Sequence, residues 1–104
     1  MDVMSRYEGD VLVISLSGEM DHHNLMDIKL KTDPLIIEYR PRLLLLDLSK
    51  VPFCDSSGIA AVIGRYKLAR SLGAQTVLHG LTPQVRKVLS LGGVLGLVKE
   101  VVRK

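Results

Sequence analysis

Hydrophobic positions recur along this chain with two different periods, and the switches between those periods divide it into elements. Over Val11–Leu16, Leu12, Ile14 and Leu16 make one apolar face, and Val11, Val13 and Ser15 make a second that is nearly so. That is the pattern of a well-covered strand. An earlier strand around Val3–Arg6 can pair with it through a turn at Tyr7-Glu8-Gly9-Asp10, which predicts a hairpin. Ser17-Gly18-Glu19 ends the second strand. Leu25, Ile28 and Leu30 then take helical spacing, with Asp21 or Asn24 as the cap. Pro34 is expected to interrupt this helix, leaving it short or restarting it with Pro34 in a first turn that runs through Leu35, Ile36 and Tyr39.

Leu43–Leu48 is a continuous apolar run broken only by Asp47, and the flanking Pro41 and Pro52 leave room for a strand but not a helix. Its composition suits a central strand buried on both faces. After it, Ile59, Val62, Ile63, Tyr66 and Ala69 form one helical stripe, with Arg65, Lys67, Arg70 and Ser71 mostly off it and Gly73 as the stop. Gln75–His79 reads as another strand. Thr82 and Pro83 then open a helix that turns Val85, Val88 and Leu89 inward. Val94–Val102 is expected to be a short helix or a terminal strand. The element order is β-β-α-β-α-β-α, predicting one α/β domain over residues 1–104. Its sheet is mixed but mostly parallel, with an opening hairpin and helices packed against it.

Composition narrows the classes of function. The chain has 104 residues, 47% hydrophobic and 24% charged, which is globular rather than disordered. Aromatic residues are 4%, so the core must be aliphatic. The single Cys54 rules out an internal disulfide framework and fits a reducing cytoplasm. No apolar run is long enough to span a bilayer, and Met1-Asp2-Val3-Met4 has no signal-peptide layout, so no membrane partner is expected. The net charge of +3 comes with no long basic block and no interleaved aromatics, which argues against direct nucleic-acid binding.

The chemistry concentrates in Phe53-Cys54-Asp55-Ser56-Ser57-Gly58, where the apolar strand gives way to a helix. A helix start leaves backbone N–H groups unpaired and favours an anion. Asp55 or Ser56 can act as its cap. A hydrolase elbow would need a glycine two residues upstream of the serine, and none is there; nothing selects His22, His23 or His79 as a base. A phosphate acceptor needs only an accessible hydroxyl, because the kinase brings base, metal and nucleotide. Cap and acceptor therefore both stay open on the residues alone. His22-His23 is a poor metal site, since adjacent residues point apart and no Cys/His cluster joins them. The glycines Gly92, Gly93 and Gly96 fit no P-loop or dinucleotide fingerprint, so no cofactor is expected.

The strings Gly18-Glu19-Met20-Asp21-His22-His23, Leu46-Asp47-Leu48 leading into Phe53-Cys54-Asp55-Ser56-Ser57-Gly58-Ile59, and Gly64-Arg65-Tyr66-Lys67 together resemble the STAS domain family, in its anti-sigma factor antagonist branch. The resemblance continues to Leu81–Leu89. It implies a non-enzymatic, cytoplasmic partner-switching regulator, monomeric when free. The unphosphorylated protein would bind an ATP- or ADP-bound anti-sigma factor that is also a serine kinase, releasing a sigma factor, with sporulation as the expected setting. Phosphorylation would end that binding, and a PP2C-type phosphatase would restore it. The family's acceptor is the first serine of the pair, here Ser56. Asp21, with His22 and His23 in its loop, and Asp55, Ser57, Gly58 and Ile59 around the acceptor, match partner-facing positions. The alternative is a non-switching STAS interaction module of a stress-signalling or transporter complex. Pro34, Ala60-Ala61 and the basic balance depart from the branch's pattern.

Overall fold

In the computed structural model, which describes residues 1–102, the chain builds five strands in the order of the sequence. β1 (Asp2–Glu8) pairs antiparallel with β2 (Val11–Ser17) through the predicted hairpin, whose turn puts Gly9 and Asp10 at positive φ. β2, β3 (Leu43–Lys50), β4 (Gln75–His79) and β5 (Lys99–Val101) are parallel neighbours. Between them lie α1 (Leu25–Tyr39), α2 (Ser56–Ser71) and α3 (Pro83–Leu91). The mixed, mostly parallel α/β sheet is the expected architecture. The tail resolves both of its alternatives, as a short 3-10 turn at Val94–Gly96 leads into β5.

Strands in chain order, joined by crossovers of one hand, place the helices on one face of the sheet. Burial agrees with this. Leu12, Ile14, Leu16, Leu44, Leu46, Leu48 and Leu78 are buried, whereas Val11, Val13, Ser15 and Val77, which point the other way, are only half-buried. Ile28, Ile36, Ala61, Val62, Ala69, Val85 and Leu89 close the core from the helix side.

Three expectations about the helices are corrected. α1 is continuous through Pro34. Proline removes one backbone donor, but Pro34 is exposed, so the hydrogen bond it forfeits falls on the solvent side where water can take its place. Leu30 does not join the inner stripe and is 65% exposed; Thr32 is buried instead, its hydroxyl donating to the Ile28 carbonyl at 2.6 Å. Arg65 does not lie off the α2 stripe. It is buried between α2 and α1, with Nε 2.9 Å from Asp33 Oδ1.

Candidate functional site

The site is assembled by a short extension of the sheet beyond the ends of β2 and β3. Gly18 donates to Lys50, Met20 donates to Phe53 at 3.0 Å, and Asp55 donates back to the Met20 carbonyl at 3.3 Å. Met20 and Cys54 thus pair as an isolated parallel bridge. The pairing carries the loop after β2, with Asp21, His22 and His23, to the segment that enters α2.

On its other side that segment is held by one side chain. Gln84, in the first turn of α3, accepts from the Cys54 N–H through Oε1 and donates to the Cys54 carbonyl through Nε2, both at 3.0 Å. The primary amide thereby substitutes for a neighbouring strand. Nothing in the residue pattern singled out Gln84, because a lone glutamine one position after the N1 proline carries no motif of its own. Thr82 caps α3 as predicted, accepting from the Val85 N–H at 3.4 Å.

Asp55 is the cap of α2, and Ser56 is the first helical residue. Asp55 Oδ1 accepts from the Ser57 N–H at 2.7 Å, and Oδ2 accepts from the His22 N–H at 3.3 Å. The Ser57 N–H chiefly holds this carboxyl below the usual aspartate range; desolvation opposes it, and the His22 N–H adds to the lowering. Ser56 is exposed, and Ser57 is half-buried. Gly58 is buried and lies against Cys54: a Cβ there would meet Cys54 Cβ at 2.7 Å. Glycine lets α2 start this close to the bridge. Ile59 is half-buried at the edge of the core.

Asp21 turns the chain ahead of α1, its Oδ1 accepting from the Asn24 N–H at 3.0 Å. Asn24 occupies the cap position of α1 without a side-chain capping bond; its Nδ2 donates to the Glu19 carbonyl at 2.8 Å instead. His22 and His23 are exposed with ring centroids 6.2 Å apart, edge to face. Among the described residues, no group of His, Cys, Asp or Glu could hold a metal ion, and neither of these rings is hydrogen-bonded to the Ser56 hydroxyl. Burial, then the Asp55 charge, pushes the Cys54 thiol up, so this cysteine is poorly suited to nucleophilic chemistry.

The structure therefore brings Asp21, His22 and His23 together with Asp55, Ser56, Ser57, Gly58 and Ile59 at one end of the sheet. What this arrangement offers chemically is an exposed hydroxyl at a helix start, beside a fixed carboxylate and a fixed loop. A phosphate there could reach unpaired helix N–H groups while adding negative charge to a surface that already carries Asp55.

The STAS domain model matches residues 3–103. The chain is 32% identical over 95 residues to the anti-sigma F factor antagonist of Paenibacillus polymyxa, covering 91% of this chain and 80% of that protein. Its structure is similar to that of the anti-sigma factor antagonist SpoIIAA in its unphosphorylated form, with a TM-score of 0.79 and 27% identity over 96% of this chain and 88% of the other. It is also similar to SpoIIAA, a Bacillus cell fate determinant, in the phosphorylated form, with a TM-score of 0.70 and 26% identity over 96% of this chain and 91% of that one.

Proposed function

The chain belongs to the STAS domain family, and on that footing we propose that it is an anti-sigma factor antagonist switched by phosphorylation of Ser56. The observation that carries the proposal is the placement of Ser56: exposed, first in α2, and flanked by the Asp55 cap that also holds the Asp21–His23 loop. In this reading the protein is a binding switch and not an enzyme. Unphosphorylated, it presents the α2 start and the Asp21 loop to an anti-sigma factor that is also a serine kinase with ATP or ADP bound, and the sigma factor is released.

Phosphate transfer to Ser56 adds about −1.5 to −2 charge beside Asp55. The fold tolerates it, since free helix N–H groups and the helix dipole favour an anion there. A partner surface packed on the same spot must desolvate that charge and meet the Asp55 carboxylate as well, so the complex is weakened. A PP2C-type phosphatase resets the switch. The free protein acts as a cytoplasmic monomer, and the process served is sporulation, by likeness to relatives named for anti-sigma F antagonism.

Incubation of the pure chain with an anti-sigma F serine kinase and Mg-ATP tests the reading. Intact-mass measurement is expected to show one added phosphate, absent in Ser56→Ala and retained in Ser57→Ala. Incorporation that survives Ser56→Ala and disappears in Ser57→Ala would overturn the site. Ser56→Asp is expected to weaken kinase binding by calorimetry with the melting profile retained. Unchanged affinity would count against the charge mechanism.

A further inference from the structure

The Gly64-Arg65-Tyr66-Lys67 string lies toward the far half of α2 from Ser56, and only Arg65 has been given a role there so far. Tyr66 faces a cleft of about 520 Å³ at the opposite end of the sheet from the serine. The cleft exists because β5 is short. It pairs with β4 only from Val77 onward, opposite Lys99, so Gln75 and Thr76 have no β5 partner beside them. The 3-10 turn forms one wall with Leu95 and Leu97, and the last turns of α2 form the other with Tyr66 and Arg70.

Three features distinguish this cleft from a bare apolar groove. Arg70 enters its lining from α2, Lys99 borders it from the outer face of β5 opposite Val77, and among the described residues no acidic side chain lines it. Arg70 Nη1 makes one long bond, 3.4 Å to the Tyr66 hydroxyl, so a planar guanidinium with donors to spare stands at the rim. Thr76, only 7% exposed, also lines the cleft, and its buried hydroxyl has no hydrogen-bond partner. Buried hydroxyls are ordinarily satisfied, so an unpaired one beside a cavity is informative. Concave, mostly apolar walls with a few converging polar groups are the usual make-up of a small-molecule site.

We propose that this cleft binds a small organic anion, with its charged group at Arg70 and its apolar body against Leu95 and Leu97. The site lies apart from the phosphorylation surface. Along α2, Tyr66 and Arg70 follow Ser56 by 10 and 14 residues, about 15 and 21 Å at 1.5 Å per residue. The proposal does not depend on Ser56 being the acceptor, and part of the unexplained excess of positive charge acquires a purpose in it.

The probe for the test is 8-anilinonaphthalene-1-sulfonate, an apolar body carrying one anionic group, titrated against the folded full chain by fluorescence with backbone amide shifts recorded in parallel. Saturable binding at one site is expected, with shifts concentrated at residues 66–77 and 95–99. Octanoate is expected to displace the dye and octanol is not. Arg70→Glu should weaken binding about fivefold or more through loss and reversal of a nearby charge, while Lys67→Glu, on the exposed face of the same helix, should stay within about twofold. A melting curve establishes that each variant is folded. Equal displacement by octanol, indifference to Arg70→Glu, an equal effect of Lys67→Glu, or shifts centred elsewhere would each overturn the proposal.

Discussion

Asp55 and His22, 33 positions apart in the chain, are joined by the carboxylate that caps α2: Oδ2 takes the His22 N–H while Oδ1 takes the Ser57 N–H. One side chain thus sets both the start of the helix and the position of the neighbouring loop. Separating its two oxygens chemically separates the two tasks. Asn in place of Asp55 keeps an acceptor for Ser57 but offers an NH₂ where His22 needs an acceptor. Amide hydrogen exchange is expected to accelerate at His22 in both Asp55→Asn and Asp55→Ala, and at Ser57 in Asp55→Ala alone. Unchanged protection of His22 in Asp55→Asn would show that the loop is held without the carboxylate.

Gln84 is expected to matter more to stability than an ordinary helix glutamine. Its amide pairs with both backbone groups of Cys54, a residue with no solvent exposure. Gln84→Met keeps the volume and removes both partners, leaving a buried donor and acceptor that cost about 1–3 kcal/mol. Urea unfolding should show a lower midpoint with an unchanged slope. A loss within a few tenths of a kcal/mol would mean that water replaces the amide freely.

The sequence pattern conveyed strands and caps well where one local rule was at work. β4 over Gln75–His79 and the Thr82-Pro83 entry into α3 were legible because alternation and capping chemistry act within a few residues. The candidate site was legible as a segment, and the resemblance tied the Asp21 loop to it. Its geometry was not legible, because Gln84 and the second oxygen of Asp55 act across 30 and 33 positions. Arg65 and Pro34 misled for a related reason. A charge reads as surface until a partner such as Asp33 is known, and a proline reads as a break until its missing donor is seen to face water.

Arg65 and Asp33 make the one contact between α1 and α2 in which both charged side chains are largely withdrawn from solvent, at 7% and 19% exposure. The pairing is imperfect. Arg65 Nε is close to Asp33 Oδ1 but off the line of a hydrogen bond, and Nη1 has no partner. Arg65→Ala leaves the largely buried Asp33 carboxylate with only the looser Lys29 contact at 3.9 Å and is expected to cost about 3 kcal/mol, the lower end of the range for breaking a buried pair. Removing both charges, as Arg65→Met with Asp33→Leu, should recover most of that loss in urea unfolding. A double variant no better than the single one would show that the pair contributes more than its desolvation takes away.

Gly58→Ala brings a methyl group to 2.7 Å from Cys54 Cβ, in a buried helix turn that cannot move without shifting Ser56. The expected cost is about 1–3 kcal/mol, as for other overpacked core positions. Cys54→Ala retains the offending Cβ, so it should not rescue Gly58→Ala, whereas Cys54→Gly should, beyond its own intrinsic destabilisation. The coupling energy from this double-mutant cycle distinguishes a local clash from a general loss of packing. Additive effects would place the cost elsewhere.

Acid should destabilise the protein through a few identifiable carboxylates. Glu100 is held below the usual range chiefly by the Arg86 side chain, which donates Nε to Oε1 at 3.0 Å and Nη2 to Oε2 at 2.7 Å. For Asp47, burial pushes the pKa up, but the donors of Ser49 and the nearby His79 and Ser15 outweigh it, and the net direction is down. A carboxyl with a lower pKa folded than unfolded leaves the unfolded chain holding more protons in the window between the two values. Its stabilisation is complete above the unfolded value, about 4, and is lost as pH falls through the folded one. The melting temperature is therefore expected to hold from neutral pH down to about pH 5 and to fall steeply below about pH 4. Glu100→Gln should lower the neutral-pH plateau and flatten the acid slope, since the group that takes up the proton is gone. An unaltered slope in that variant would assign the acid sensitivity to the other lowered carboxylates, Asp27, Asp47 and Asp55.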